Sequence, residues 1–79
     1  MKTVNLGFDN IVAAARIVCI ASAGAAPMKR LKEEARKERK LVDVTNGRRT
    51  RSIVITDSGH VILSSIQPQT LTQRIEEAS

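Results

Sequence analysis

Three arginines within four positions, Arg48, Arg49 and Arg51, are the residues best suited to chemistry in this sequence. They follow Asn46-Gly47, a dipeptide typical of tight turns. No acidic residue lies within four positions of any of them, so the local sequence offers no counter-charge. Guanidinium groups present paired donors that match phosphate oxygens and the edge of guanine. The segment Gly47–Arg51 therefore predicts an exposed loop that binds anions.

Two other interpretations of these arginines remain open from the residues alone. They could form a basic surface loop without a partner, as charged segments often do. They could also pair with carboxylates across a subunit interface, for which the candidates are Asp9, Glu76 and Glu77.

A fourth arginine, Arg16, interrupts the apolar run Ile11–Ile20. Burying an unpaired charge is strongly unfavourable, so this side chain must reach the surface or find a partner. We expect it either to join the arginine loop on one face or to project from a strand edge into water.

Catalytic chemistry is not indicated. Cys19 lies between Val18 and Ile20, and we predict a small buried core residue there. His60 borders a turn near Asp57, where a hydrogen bond within the turn is expected. The sequence contains no metal-binding, Ser-His-Asp or phosphate-loop motif. We therefore expect a protein that is not an enzyme and needs neither a cofactor nor a metal.

Positive charge is concentrated in one third of the chain. The net charge is +5, and residues 29–51 hold ten of the thirteen basic side chains but only four of the eight acidic ones. Such a distribution favours an anionic partner such as nucleic acid. The predicted helix over 28–40 mixes both signs, which is typical of a solvated face; a share in a DNA-facing rim is the alternative.

The size of the chain favours assembly. A single domain over residues 1–79 buries too little surface for a large core. One cysteine excludes a disulfide within the chain, and one phenylalanine is the only aromatic residue. Packing between subunits would compensate. No apolar run reaches the roughly 18 residues of a membrane span, so we expect a cytoplasmic protein without a membrane partner.

The pattern of apolar residues predicts a small α+β domain with an antiparallel sheet. Both hairpin strands have continuously apolar centres and so need cover on two faces, which two short helices barely provide; this again favours a partner subunit. The predicted elements, in the order strand, strand, helix, hairpin, helix, are a strand at 3–6, a long or bent strand at 11–22, a helix opening at Pro27, an extended piece at 41–44, a hairpin of 51–56 and 60–66, and a helix from Pro68 to about Ala78.

Many short motifs, in order along nearly the whole chain, resemble the RemA family, the extracellular matrix regulatory protein A group. The motifs are Asn5-Leu6-Gly7-Phe8, Asn10-Ile11-Val12, Arg16, Ala26-Pro27-Met28-Lys29-Arg30, Asp43, Thr45, Gly47-Arg48-Arg49-Thr50-Arg51, Asp57-Ser58, His60 and Gln67-Pro68.

The resemblance implies a bacterial DNA-binding transcriptional regulator that activates biofilm-matrix genes. It implies a fold similar to LytTR domains and closed homo-oligomeric rings of about seven or eight subunits. Double-stranded DNA is the implied partner, in the nucleoid, with no small-molecule substrate. The DNA-binding arginines of the family correspond to Arg16, Arg48 and Arg49, and the segment around Pro27 is associated with activity. From its place in the loop alone, Arg51 is expected to add a supporting contact.

Two positions depart from the family pattern. Arg39 stands where members have a glycine that ends the first helix, so that helix is expected to run longer or to end differently. Asn46 replaces a tyrosine. Two functions of other classes also fit the sequence: an RNA-binding accessory protein of ribosomal type, and a structural oligomer with a basic face. The shortage of stacking aromatics argues against recognition of single strands.

Overall fold

The structure, a computed structural model, describes residues 1–78. This part of the chain forms six strands and two α-helices. Their bounds are β1 Thr3–Asn5, β2 Ile11–Ala13, β3 Ile17–Ser22, α1 Ala26–Lys37, β4 Leu41–Asp43, β5 Ser52–Thr56, β6 Val61–Ser64 and α2 Pro68–Ala78.

The strands form two sheets. β1 and β2 pair as an antiparallel ribbon, and the other four strands form a sheet in the order β3-β5-β6-β4. The predicted α+β class is confirmed, and so is the hairpin of β5 and β6. The prediction of an antiparallel sheet is wrong for one pair of strands, because β4 runs parallel to β6. The extended piece at 41–44 is thus a fourth strand of the sheet, which the predicted element order lacked.

The long second strand is bent, as one form of the prediction had it. A 3-10 turn at Ala14–Arg16 separates β2 from β3. A register shift between Ile17 and Cys19 then makes the start of β3 irregular against β5. Bulges of this kind bend and twist a strand. As a result, β2 remains with the ribbon while β3 enters the larger sheet.

The larger sheet is covered on both faces within the chain. Ile53, Val61 and Leu63 pack with Ala35 on the face under α1. Val54 packs on the opposite face with Val4, Leu6 and Leu71, which come from the ribbon and α2. The apolar centres of the hairpin are therefore covered on both faces, as predicted, with Ile55 and Ile62 only partly buried. The ribbon, which the sequence pattern did not place over the sheet, provides cover for which a partner subunit was expected.

Helix α1 ends at Lys37 even though no glycine follows it. Arg39 adopts φ +61°, the left-handed conformation that a glycine usually takes at this position. The amide of Lys40 donates to the carbonyl oxygen of Ala35 at 2.8 Å, which closes the last turn. The replacement of glycine by Arg39 therefore leaves the helix end in place and transfers strain to the arginine.

Two outer strands of the larger sheet, β3 and β4, carry exposed apolar side chains. Val18 on β3 is 68% exposed and Val42 on β4 is 40% exposed. Cys19 is exposed as well, so its predicted place in the core is wrong. It lies on an edge strand directly after the register shift. Neither helix within residues 1–78 has the length and apolar character that crossing a bilayer requires.

Candidate nucleic-acid interface

The arginine segment begins in a turn that is held by Asp43. Asn46 and Gly47 both have positive φ, +54° and +81°, and the amide of Arg48 donates to the carbonyl oxygen of Thr45 at 3.0 Å. The Asp43 carboxylate accepts hydrogen bonds from the Thr45 amide at 2.9 Å and from the Thr45 hydroxyl at 2.6 Å. The two contacts fix the direction in which the chain leaves β4 and reaches Arg48.

The charge state of Asp43 follows from these contacts. The hydrogen bonds from the Thr45 hydroxyl and amide, with a smaller contribution from the charge of Lys32, hold the pKa of the Asp43 carboxyl below its ordinary value. Because both donors stabilise the ionised form, the carboxylate stays charged at neutral pH. The hydrogen bonds between Asp43 and Thr45 therefore stabilise the turn fully above the ordinary carboxyl pKa. This stabilisation is lost as the pH falls through the lowered pKa of Asp43.

The backbone at the end of the segment is anchored to the larger sheet. The amide of Arg51 donates to the carbonyl oxygen of Ser64 at 2.8 Å, and its own carbonyl accepts from the amide of Ala23 at 3.2 Å. Arg49 and Arg51 line a cavity of about 190 Å³ together with Gly24. The loop is exposed, as the sequence predicted, and the hydrogen bonds to the sheet fix its backbone at this end.

Counter-charges for the three arginines are absent from the described residues. Arg48, Arg49 and Arg51 are exposed. Among residues 1–78 the one ion pair joins Arg16 to Asp57, and it leaves these three arginines out. Pairing of the loop with carboxylates of the same chain is therefore not found in this range, and its donors face solvent.

Arg48 has one specific contact, with the ring of Phe8. The guanidinium carbon lies 5.7 Å from the ring centroid, within the range of a cation–π interaction. Phe8 is exposed to 47% and belongs to the turn between β1 and β2. The ribbon thus brings the chain's single aromatic residue to the start of the arginine segment.

Arg16 lies elsewhere. Its guanidinium makes a salt bridge of 3.0 Å with Asp57, and the two side chains are 67% and 44% exposed. Its carbonyl oxygen accepts a hydrogen bond from the amide of Asp57 at 2.9 Å. The charge therefore reaches the surface and is also paired, which meets both of the conditions inferred from its apolar surroundings.

A single chain does not bring Arg16 together with the arginine loop. Arg51 immediately precedes β5 and Asp57 immediately follows it. Six residue steps of roughly 3.3 Å separate the backbones of these two residues by about 20 Å. Of the two positions expected for Arg16, the one on the face of the arginine loop is not found within one subunit, because the hairpin holds the two groups at opposite ends of β5.

Sequence reasoning missed three residues of this region: Phe8, Asp57 and Ser64. A signal existed for Phe8, since the only aromatic residue stands in a stretch of turn composition, Gly7 to Asn10. Asp57 pairs with a residue 41 positions away, which spacing does not reveal. Ser64, fully buried, ties β6 to the ribbon through its hydroxyl, which donates to the carbonyl oxygen of Leu6 at 2.9 Å.

The predicted hydrogen bond of His60 within the hairpin turn is confirmed. Its Nδ1 atom lies 2.7 Å from the hydroxyl of Ser58, which in turn lies 2.9 Å from the hydroxyl of Thr56. The partner is Ser58, whereas Asp57 is engaged with Arg16. This hydroxyl network stabilises the turn that presents Asp57.

Comparison with known proteins shows which family this chain is similar to. Residues 3–75 match a family model described as RemA-like, extracellular matrix regulatory protein A-like. A relative from Thermodesulfovibrio yellowstonii is 58% identical over 74 residues, which cover 94% of this chain and 87% of the relative. One from Geobacillus thermodenitrificans is 56% identical, with 95% and 86% covered. One from Nitratidesulfovibrio vulgaris is 57% identical, with 96% and 88% covered. All three are named "putative regulatory protein".

Proposed function

This chain belongs to the RemA-like family, and we propose that it is a non-enzymatic regulator of transcription that binds duplex DNA through Arg48 and Arg49. The observation that carries the proposal is the exposed guanidinium pair on an anchored turn, without a carboxylate partner among residues 1–78. Phosphate oxygens would supply the missing counter-charge. The names of the relatives support a regulatory role.

Arg51 and the neighbouring cavity extend the phosphate-binding surface. Arg49 and Arg51 lie on the same cavity, beside the backbone of Gly24. The next residues along the chain are the uncapped start of α1, where Ala25 offers no side-chain acceptor. The helix dipole favours negative charge at such an end. Together these groups suit a DNA backbone that runs past the loop.

Arg16 supplies a separate contact in the proposed complex. Because its backbone lies about 20 Å from that of the loop, the two sites of a subunit would meet different phosphates. Asp57 holds one nitrogen of the Arg16 guanidinium, and a phosphate would compete with it for that group. An exchange of one exposed anion for another changes the free energy little, since surface ion pairs contribute about 0–1 kcal/mol.

Assembly would multiply these few contacts. We propose a closed homo-oligomeric ring, of about seven or eight subunits as in the resemblance to the family. Exposed Val18 and Val42 lie on the two edge strands of the larger sheet, and strand edges offer unpaired backbone groups to a neighbour. Repetition of a site that has two or three contacts raises its effective concentration on one DNA molecule.

The biological role that accompanies this mechanism is control of biofilm-matrix-type genes in the nucleoid of a bacterial cytoplasm. Specificity would come from the shape and bendability of the duplex. Neither helix of residues 1–78 carries the arginine segment, so no helix offers these side chains to the major groove. A fixed loop that meets phosphates reads the path of the DNA backbone.

A gel-shift titration combined with mass measurement of the oligomer tests the proposal. We expect the Arg48→Ala/Arg49→Ala variant to keep the mass of the wild type and to lose binding to duplex DNA at the same salt concentration. The matched control is Arg36→Ala/Lys37→Ala, which removes the same charge from exposed positions of α1.

Three results would contradict the proposal. Unchanged binding of the Arg48→Ala/Arg49→Ala variant would remove the proposed site. A monomeric wild type would exclude the multivalent mechanism. Preferential release of the duplex by single-stranded or folded RNA competitors would favour an RNA-binding function instead.

A further inference from the structure

The position of Phe8 is unusual for an aromatic residue. It is the only aromatic side chain in 79 residues, yet it is 47% exposed and lies outside both apolar clusters of the core. Aromatic side chains contribute most to stability when they are buried. The contribution of Phe8 to core packing therefore does not explain its placement.

The backbone of Phe8 is also unfavourable for its residue type. Phe8 has φ +52° and Asp9 has φ +63°, both in the left-handed region that bulky side chains rarely adopt. Strained backbone persists where surrounding contacts determine it, and it often marks a functional position. The strain is a second reason to look for a role of the ring at the surface.

Hydrogen bonds fix the turn in this conformation. The amide of Leu6 donates to the carbonyl oxygen of Asn10 at 2.7 Å, and the amide of Asn10 donates to that of Gly7 at 3.0 Å. The side chain of Asn10 adds a bond of 2.9 Å to the same oxygen of Gly7. Leu6, next to the turn, is 2% exposed, and its carbonyl oxygen accepts a hydrogen bond from the hydroxyl of buried Ser64. The ring of Phe8 consequently projects from a rigid base.

The side chain of Arg48 reaches this ring, and its guanidinium carbon lies 5.7 Å from the ring centroid. A long arginine side chain otherwise samples many rotamers, and ordering it on a ligand costs entropy. A contact with an aromatic face reduces that cost while the N–H donors remain free for a phosphate. Arg49, the adjacent residue, has no ring contact within residues 1–78.

We propose that Phe8 is a positioning residue, which holds the Arg48 guanidinium over its ring in the orientation that meets a DNA phosphate. The inference rests on the proposed function, in which Arg48 binds duplex phosphates. It assigns different properties to two adjacent arginines: Arg48 is pre-ordered by the ribbon, and Arg49 becomes ordered only on DNA.

The first measurement is made on the free protein by NMR. Ring-current shifts should displace the side-chain Hδ and Hε resonances of Arg48, and Phe8→Leu should remove the displacement. Phe8→Tyr should retain it, because tyrosine keeps the aromatic face. Resonances of Arg49 serve as the internal control. Unshifted Arg48 resonances in the wild type would overturn the inference without any reference to DNA.

The second measurement is a double-mutant cycle on duplex binding by the assembled protein. Phe8→Leu should weaken binding about two- to five-fold for each contact, the range expected for an exposed cation–π pair. Phe8→Tyr should bind duplex DNA as tightly as the wild type, because tyrosine keeps the aromatic face. In an Arg48→Ala background Phe8→Leu should have no further effect, whereas in an Arg49→Ala background its effect should persist.

The outcomes separate the inference from the function on which it rests. If Arg48→Ala loses affinity and Phe8→Leu does not, positioning is wrong and DNA binding stands. If Phe8→Leu weakens binding equally in the Arg48→Ala background, the ring contacts DNA itself, and the positioning role is also wrong. If neither Arg48→Ala nor Arg49→Ala changes binding, the proposed function is wrong and the inference falls with it.

Discussion

In the proposed complex, Asp57 competes with DNA for Arg16, since its carboxylate lies 3.0 Å from the guanidinium. We expect Asp57→Asn to raise the affinity for duplex DNA by up to about five-fold per subunit, the most that an exposed ion pair of about 1 kcal/mol opposes. Asparagine keeps the turn chemistry of the position. Fluorescence anisotropy with a labelled duplex at low salt measures the change.

The control for this prediction is Glu33→Gln, which removes one exposed carboxylate from α1, away from both arginine sites. A gain of equal size in this variant would mean that net charge, rather than release of Arg16, raises the affinity. The Asp57→Asn gain should also vanish when Arg16→Ala is present, because no guanidinium is then left to release.

Arg39 stores strain at the end of α1 that a glycine would not have. Its φ of +61° costs an L-residue about 1–2 kcal/mol, partly offset in glycine by the greater entropy of the unfolded chain. We expect Arg39→Gly to raise the free energy of unfolding by about 0.5–1 kcal/mol, measured by urea denaturation. Arg36→Gly, inside the same helix, should lower it by about 1 kcal/mol. A loss of stability in Arg39→Gly would contradict the assignment of strain.

Among the elements, β6 connects the ribbon to the arginine segment through Ser64. The carbonyl oxygen of Ser64 accepts a hydrogen bond from the amide of Arg51. The hydroxyl of Ser64 donates to the carbonyl oxygen of Leu6 and accepts a hydrogen bond from the amide of Ile66 at 3.1 Å. Ser64→Ala leaves the buried carbonyl oxygen of Leu6 and the partly buried amide of Ile66 without this partner. We expect the free energy of unfolding to fall by about 1–3 kcal/mol, measured by the urea midpoint.

Ser65→Ala is the matched control for Ser64→Ala. Ser65 neighbours it in sequence and is only partly buried, so its loss should change stability by less than about 0.5 kcal/mol. Equal effects of the two variants would show that the Ser64 hydroxyl does not hold the ribbon. NMR shifts of the Phe8 turn should move in Ser64→Ala alone.

The sequence predicts the local elements well because local chemistry decides them. Asn46-Gly47 specifies a turn, and Asp57-Ser58-Gly59 joins two apolar strands into a hairpin. The parallel pairing of β4 with β6 and the fold of the ribbon over the sheet depend on contacts between distant segments. No period or turn motif encodes such contacts, so they were missed.

The same distinction applies to the candidate site. Arg48, Arg49 and Arg51 could be predicted because their charge density and lack of nearby acids are visible in the sequence. The contacts that orient them are long-range: Phe8 lies 40 positions before Arg48, and Asp57 lies 41 positions after Arg16. Cys19 was misplaced for a related reason, since apolar neighbours do not distinguish a central strand from an edge strand.

At the scale of the whole molecule, the arginines proposed to bind DNA lie at two ends of the larger sheet. The arginine loop precedes β5, and Arg16 lies beside the residue that follows it. An arrangement of separated sites binds weakly as one subunit and strongly when repeated on one duplex. Under the proposed function, the stability of the fold and the strength of DNA binding are separable, because the four arginines proposed to meet DNA are all exposed and none belongs to the core.

The salt dependence of binding should report how many phosphates the assembled molecule neutralises. The logarithm of the association constant falls with the logarithm of salt concentration at a slope of about −0.9 per neutralised phosphate. Arg48→Ala/Arg49→Ala should therefore make the slope less steep by about 2 for each subunit in contact with DNA, and Arg36→Ala/Lys37→Ala should leave it unchanged. A variant that loses affinity at every salt concentration and keeps the wild-type slope would mean that the two arginines support assembly or folding. A slope that changes in proportion to the number of contacting subunits would instead tie DNA binding to the repeated arginine loop.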